Sequence, residues 1–144
     1  MINKINSNSL VSIPTKEEIE ITERNRAIIS ELYERVNSGD LLSISSLRDR
    51  DYRMIQAPGH PVGGTWIGDE ANAAGGRIFA TLGIKSLTVH EIVATGPNRV
   101  IGLIDLHGTD ANGNPWTMPV AECWLVENGV ITEVRPFYWD LVEV

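Results

Sequence analysis

Four ionisable side chains, Asp105, His107, Glu122 and Arg135, lie in the C-terminal third of the 144-residue chain, inside segments of alternating apolar and polar residues. Two carboxylates, an imidazole and a guanidinium are the group types that move protons without outside help, provided an apolar wall raises a carboxyl pKa or a neighbouring arginine lowers it. Turn chemistry predicts which of them meet. A two-residue Asn-Gly turn fixes hairpin register. With Asn128-Gly129 as one turn, Trp124 lies opposite Glu133, Glu122 opposite Arg135, Val120 opposite Phe137 and Met118 opposite Trp139. With Asn112-Gly113 as the other, His107 lies opposite Met118, Asp105 opposite Val120 and Leu103 opposite Glu122. One sheet face then carries the aromatic and ionisable residues, and a bulge in either hairpin would move it. If Arg135 pairs with Glu122, Asp105 or His107 is the candidate proton carrier; if Arg135 faces a ligand, Glu122 is the better candidate. The pair can equally be a solvated cross-strand contact of a few tenths of a kcal/mol, up to ~1.

The remaining candidates serve binding. Trp124, Trp139, Phe137, Met118 and Val120 line the same predicted face. Tyr33 and Leu32 come from the first helix, Gln56 from the first strand, His60 from a Pro/Gly loop at a pocket mouth, and Trp66 from the rim. No metal site is expected, because Asp105-x-His107 supplies only two ligands and the three histidines have no ligand spacing. No phosphate-loop spacing accompanies Gly63-Gly64 or Gly75-Gly76. Cys123, the single cysteine, reads as a small buried apolar residue.

These residues need elements to position them. Residues 1–13 read as a disordered leader and 14–144 as one domain. Thr15-Lys16-Glu17-Glu18 fits a capping box, and Ile21, Ile28, Ile29, Leu32, Tyr33 and Val36 form the apolar stripe of a long helix ended by Asn37-Ser38-Gly39. Asp40 caps a short helix over 41–47, Arg48-Asp49-Arg50-Asp51 is a charged turn, and 52–56 a strand. An irregular loop runs through Trp66 and Ile67, and a third helix over 69–82 ends at Gly83. Inside it, Gly75-Gly76 marks either a close backbone approach or an early end. From Leu87 the period changes to two, giving a four-stranded antiparallel meander. The expected fold is α+β, with about three helices on one face of a strongly bent sheet and the opposite, smoother face available to a second copy.

Composition narrows the partners. Twelve Lys and Arg against nineteen Asp and Glu give a net charge of −7, which repels polyanions, so nucleic acid is not expected. No stretch approaches the ~18 apolar residues of a membrane span, and no secretory signal is evident, so the expected location is the cytoplasm.

Element order and local strings resemble the NTF2-like superfamily, particularly SnoaL-like polyketide cyclases and ketosteroid isomerases. The strings are Asn37-Ser38-Gly39-Asp40, Trp66-Ile67-Gly68-Asp69-Glu70-Ala71, Glu127-Asn128-Gly129-Val130-Ile131 and Phe137-Tyr138-Trp139-Asp140, within residues 15–141. The resemblance implies a cone (cystatin-like) with a deep, mostly apolar pocket, usually in a homodimer, and a cofactor-independent acid/base enzyme acting on an apolar oxygenated small molecule as a cyclase or isomerase. The acid that donates to the dienolate oxygen in ketosteroid isomerases falls on Glu122 and the cavity tryptophan on Trp139. The general-base aspartate falls on Gln56 or Ala57, and the first-helix tyrosine on Leu32, with Tyr33 one step out of phase. A limonene-epoxide-hydrolase-like reading would use Asp105, Arg135 and Glu122 to activate water; a third reading is a non-catalytic holder of a small hydrophobic ligand.

Overall fold

The computed structural model describes residues 13–94 and 96–143. Apart from Ile13, the expected leader lies outside them. The first helix, α1 (Lys16–Asn37), starts at Thr15, whose hydroxyl accepts from the Glu18 amide; the return bond from the Thr15 amide to the Glu18 carboxylate, which would complete the expected capping box, is not formed. Its stripe of Ile29, Leu32, Tyr33 and Val36 is buried. Asn37 does more than end the helix: its side-chain amide donates to the Leu87 carbonyl and its Oδ1 accepts from the Leu87 amide, both at 2.9 Å, fastening α1 to the sheet. An Asn37→Ala variant leaves both backbone groups of Leu87 short of a partner, and an urea unfolding curve is expected to show a loss of about 1–3 kcal/mol.

A 3-10 helix (Leu42–Leu47) follows, with Asp40 accepting from the Ser43 amide. The expected charged turn at Arg48 is instead the start of β1 (Arg48–Gln56). It is held as strand because β1 pairs in parallel with the last strand, Arg48 facing Ile131, and its outward positions tolerate charge. The loop read through Trp66 contains a short strand, β2 (Gly64–Ile67), antiparallel to β1. Helix α2 (Asp69–Leu82) ends at Gly83 in the left-handed conformation at φ +65°. It runs unbroken through Gly75-Gly76, and a side chain at either would meet open space, so these glycines mark neither a close approach nor an early end.

The meander β3 (Ile84–Ala94), β4 (Arg99–Thr109), β5 (Pro115–Glu127) and β6 (Val130–Tyr138) forms as expected. The six strands make one bent mixed sheet, β2-β1-β6-β5-β4-β3, curving around α1 and α2. Two details of register decide the site. Thr109 pairs with Pro115, so the connection around Asn112-Gly113 is a five-residue loop, 110–114, rather than a two-residue turn. Asp110 builds it, its carboxylate accepting from the amides of Asn112 and Asn114 and from the Asn114 side chain. At the other hairpin, Asn128 (φ 52°) and Gly129 (φ 80°) do form the tight turn, with Glu127 facing Val130. A bulge follows immediately: Val126 faces Ile131 but Leu125 faces Glu133. Each departure shifts the pairing by one residue. No helix among the described residues is long and apolar enough to cross a membrane.

Candidate functional site

The shifts sort the candidate residues onto two faces. Glu122 lies opposite Gly102 on one side and Pro136 on the other, not opposite Leu103 and Arg135. Arg135 lies opposite Cys123, Asp105 opposite Pro119 and His107 opposite Thr117, all on the face turned away from the helices. There His90 Nε2 sits 2.8 Å from Asp105, and the His107 ring shares hydrogen bonds with Thr88 (2.7 Å) and Thr117 (3.0 Å). Phe137 and Trp139 are also turned out, 56% and 83% exposed. The predicted convergence of Asp105, His107 and Arg135 with Glu122 is therefore corrected, and the carboxylate–arginine–carboxylate set needed to activate water on an epoxide is not assembled. The smooth face is corrected with it, since this outer face carries the charges. Cys123, expected to be buried, is half-buried on it.

Inside the cone, α1, α2, β1, β3, β4, β5 and β6 line a chamber of about 80 Å³, room for several waters. Its walls are mostly apolar: Leu32, Met54, Ile78, Phe79, Leu106, Val134 and Pro136 among others. Glu122, Arg48, Tyr33, Tyr52, Gln56, Trp124 and Tyr138 are the polar groups on it. Of the predicted binding residues, Leu32, Tyr33, Gln56 and Trp124 line this chamber. Val120 is buried in the core beside it, and Met118 lines an outer groove of about 580 Å³. His60 lines a second groove of about 540 Å³, and Trp66 lies away from all three, under the guanidinium of Arg77. Tyr138 lines the chamber and both grooves, so its ring stands at their junction.

Glu122 is the chemical centre. The Tyr33 hydroxyl donates to its Oε1 at 2.9 Å and in turn accepts from the Trp124 indole N–H at 2.9 Å. The step of one residue between Leu32 and Tyr33 thus brings the tyrosine, not the leucine, onto the carboxylate. Among the described residues Oε2 has no protein donor. Burial pushes the Glu122 pKa up to about 7, while the Tyr33 hydrogen bond and the charge of Arg48 pull against it. The Tyr33 phenol is raised well above its ordinary value, first by burial and then by the Glu122 charge, so it stays a donor at neutral pH. Removing it in Tyr33→Phe takes away a bond that favours the carboxylate, and the Glu122 midpoint in a carboxyl NMR titration is expected to move above its wild-type value.

Gln56, where a general-base aspartate was expected, is 95% buried, and its Oε1 accepts from the Tyr138 hydroxyl at 2.9 Å. A neutral amide cannot serve as that base. His60 is buried against the Tyr138 ring with centroids 5.1 Å apart; its Nδ1 accepts from the Val62 amide, and burial lowers its pKa, keeping it neutral. Tyr52, Arg48, Tyr138 and Gly102 were not singled out from the sequence. An isolated glycine in a strand is a known sign of close approach, and Gly102 is such a case: a side chain there would overlap the Tyr33 hydroxyl. Among the described residues no cluster of three His, Cys, Asp or Glu could hold a metal ion.

No curated protein matches the sequence. Solved structures do. An NTF2-like protein from Burkholderia pseudomallei is 24% identical, with a TM-score of 0.70, covering 80% of this chain and 90% of that one. A putative polyketide cyclase from Xanthomonas campestris is 22% identical at a TM-score of 0.65, covering 82% and 92%. A Mycobacterium tuberculosis protein crystallised with estradiol-17beta-hemisuccinate is 19% identical at 0.66, covering 82% and 95%. At these identities the likeness shows the fold, the NTF2-like α+β cone. The SnoaL-like domain model matches residues 29–134, from the second half of α1 into β6, and the chain belongs to the SnoaL-like family.

Proposed function

We propose that the protein is a cofactor-independent acid/base enzyme, a cyclase or isomerase, acting on a small oxygenated molecule in the chamber. The observation that carries this is a carboxyl with a pKa of about 7 on an apolar wall, one oxygen held by Tyr33 and the other free of protein donors. Such a group is ionised and protonated in comparable amounts at neutral pH, which suits it to take a proton and return it. In the proposed step Oε2 of Glu122 removes a proton from a carbon next to a carbonyl. The C–H electron pair becomes the C=C bond of an enolate, and the carbonyl pair moves onto oxygen. Isomerisation follows if Glu122 returns the proton to a different carbon; cyclisation follows if the enolate carbon attacks a second carbonyl, whose C=O pair moves onto its oxygen and takes the proton back from Glu122. The chamber admits the reacting end, and the remainder leaves past Tyr138 toward the grooves.

The test is hydrogen–deuterium exchange at carbons next to the carbonyl of short ketones and oxo acids, followed by NMR. Exchange above the buffer rate, rising with pH through about 7 and falling about 10²–10⁴-fold in Glu122→Gln, supports the reading. Exchange unaffected by Glu122→Gln contradicts it. The alternative of a non-catalytic ligand holder is favoured by the two large grooves adjoining a small chamber; it predicts binding without exchange. An epoxide hydrolase has no support from the placement of Asp105 and Arg135.

The same reading places a second copy on the outer sheet face, where Leu103, Ala121 and Phe137 form one row across β4, β5 and β6 and Phe137 is 56% exposed. Sedimentation would give a dimer, and a monomer at high concentration would remove this part.

A further inference from the structure

A glycine in the middle of a helix calls for a reason, because only proline is a poorer helix former. Neither of the usual structural reasons applies to Gly75. It lies inside α2 with a helical, negative φ, so it is not there to reach the left-handed region. Nor does it let another segment come close, since a Cβ at Gly75 would meet nothing within 4 Å. An alanine would fit there, and would favour both the helix and the folded state.

Position is what sets Gly75 apart. It lines the chamber and neither of the two outer grooves. Ile78 and Phe79, three and four residues further along α2, line the same chamber, so the three share one helix face. The other two present side chains to that face. Gly75 presents only its Cα, which leaves a notch one side chain deep in the α2 wall. The notch can be touched from the chamber: Gly75 is half-buried, whereas Ala71 and Ala74 on the same helix are 0% exposed. In a chamber of about 80 Å³ one methyl group takes a large share of the free room. The N–H and C=O of Gly75 are bonded within the helix, so the notch offers no hydrogen bond and suits carbon. Gly76 is the contrast, for it is exposed and lines none of the three spaces, and nothing in the structure explains it.

We propose that Gly75 is a specificity-determining residue of the chamber: the space left by its missing side chain holds an apolar branch or ring of the ligand, which is therefore a branched or cyclic ketone rather than a straight-chain one. Helix stability is lost at this position and room for the ligand is kept. This deepens the acid/base reading and rests on it for the choice of a ketone. Selection by width is a matter of binding, and it stands whether or not Glu122 moves a proton.

The test compares cyclohexanone with acetone, each titrated against the full chain and followed by ligand-observed NMR. Cyclohexanone carries more apolar surface, and the wild-type protein is expected to bind it about threefold or more tightly than acetone. Acetone is small enough to leave the notch empty. Gly75→Ala is expected to lower the cyclohexanone-to-acetone ratio about fivefold or more by filling the notch. The same variant is expected to raise the Tm of the ligand-free protein by about 2–4 °C, because it improves the helix. A rise in stability together with a loss of cyclohexanone binding is a pattern that a loosened core would not give. Gly76→Ala is expected to raise the Tm similarly and leave the ratio unchanged, which separates the notch from stiffening of the helix. Glu122→Gln is expected to keep the ratio while losing proton exchange on the ketone. Exchange that survives Glu122→Gln, beside a ratio that Gly75→Ala lowers, would sink the acid/base reading and leave the notch standing. The proposal is overturned by a ratio that Gly75→Ala leaves unchanged, a ratio that Gly76→Ala lowers equally, a Tm that falls in Gly75→Ala, or no binding of cyclohexanone to the wild-type protein in the millimolar range.

Discussion

Glu122→Gln unfolds at a higher temperature than the wild-type protein at pH 8, and the difference disappears below about pH 4.5. The sign follows from linkage. The Glu122 carboxyl has an ordinary pKa of 4.5 in the unfolded chain and one of about 7 in the folded protein, raised chiefly by burial. Between those values the folded state binds more protons than the unfolded state, so stability falls as pH rises. Below pH 4.5 both states are protonated and the carboxyl carries no penalty; above about 7 the whole penalty is present. At 1.36 kcal/mol per pKa unit, and allowing for relaxation around the charge, the penalty is on the order of 1–3 kcal/mol. Glutamine keeps an oxygen for the Tyr33 hydroxyl and cannot ionise, so the variant escapes the penalty and its Tm should vary less between pH 5 and 8. Calorimetry at four pH values over that range checks this. A difference that does not change with pH would mean that Glu122 titrates normally.

Gly102→Ala is expected to be strongly disruptive. Gly102 faces Glu122 across β4 and β5, and the space a side chain would take is filled by Tyr33. A Cβ there would overlap the Tyr33 hydroxyl and lie 2.8 and 2.9 Å from Cζ and Cε2 of its ring. Tyr33 is 2% exposed and held by Trp124, so it has little room to withdraw. Overpacking of this kind costs about 1–3 kcal/mol. It should also displace the hydroxyl from Glu122, lifting the carboxyl midpoint as Tyr33→Phe does. Adding Tyr33→Phe to Gly102→Ala is expected to recover only part of the stability, since the ring carbons still collide. Urea unfolding of the two single variants and the double variant measures this; full recovery would show that the hydroxyl alone fills the space.

The elements were legible because their signals are local. The Thr15 N-cap, the Asn37-Ser38-Gly39 stop, the left-handed Gly83 and the Asn128-Gly129 turn each act over a few residues and appear where the sequence predicts. Register is a different kind of quantity, because one extra residue inverts a whole strand face. The Asp110 loop and the bulge after Val126 each added such a shift, and together they turned Asp105, His107, Arg135 and Phe137 outward. Pro136 and Tyr138 were turned inward by the same shifts. Glu122 and Trp124 stayed on the inner face because β5 itself was assigned the right phase. Asp110 followed by Asn112 and Asn114 was the available clue to a longer loop, since all three residues favour side-chain-bonded turns. Arg48 and Tyr52 left no comparable trace. They matter only because β1 pairs in parallel with β6, a contact between residues about 80 apart in sequence.

The acid/base reading of the chamber turns on the state of one carboxyl. A carbon-13 NMR titration of glutamate-labelled protein, with the Glu122 signal assigned by its loss in Glu122→Gln, reads that state directly. The account predicts a midpoint near pH 7, distinct from the other glutamates and moved upward by Tyr33→Phe. A midpoint near 4.5 that Tyr33→Phe leaves in place would contradict it.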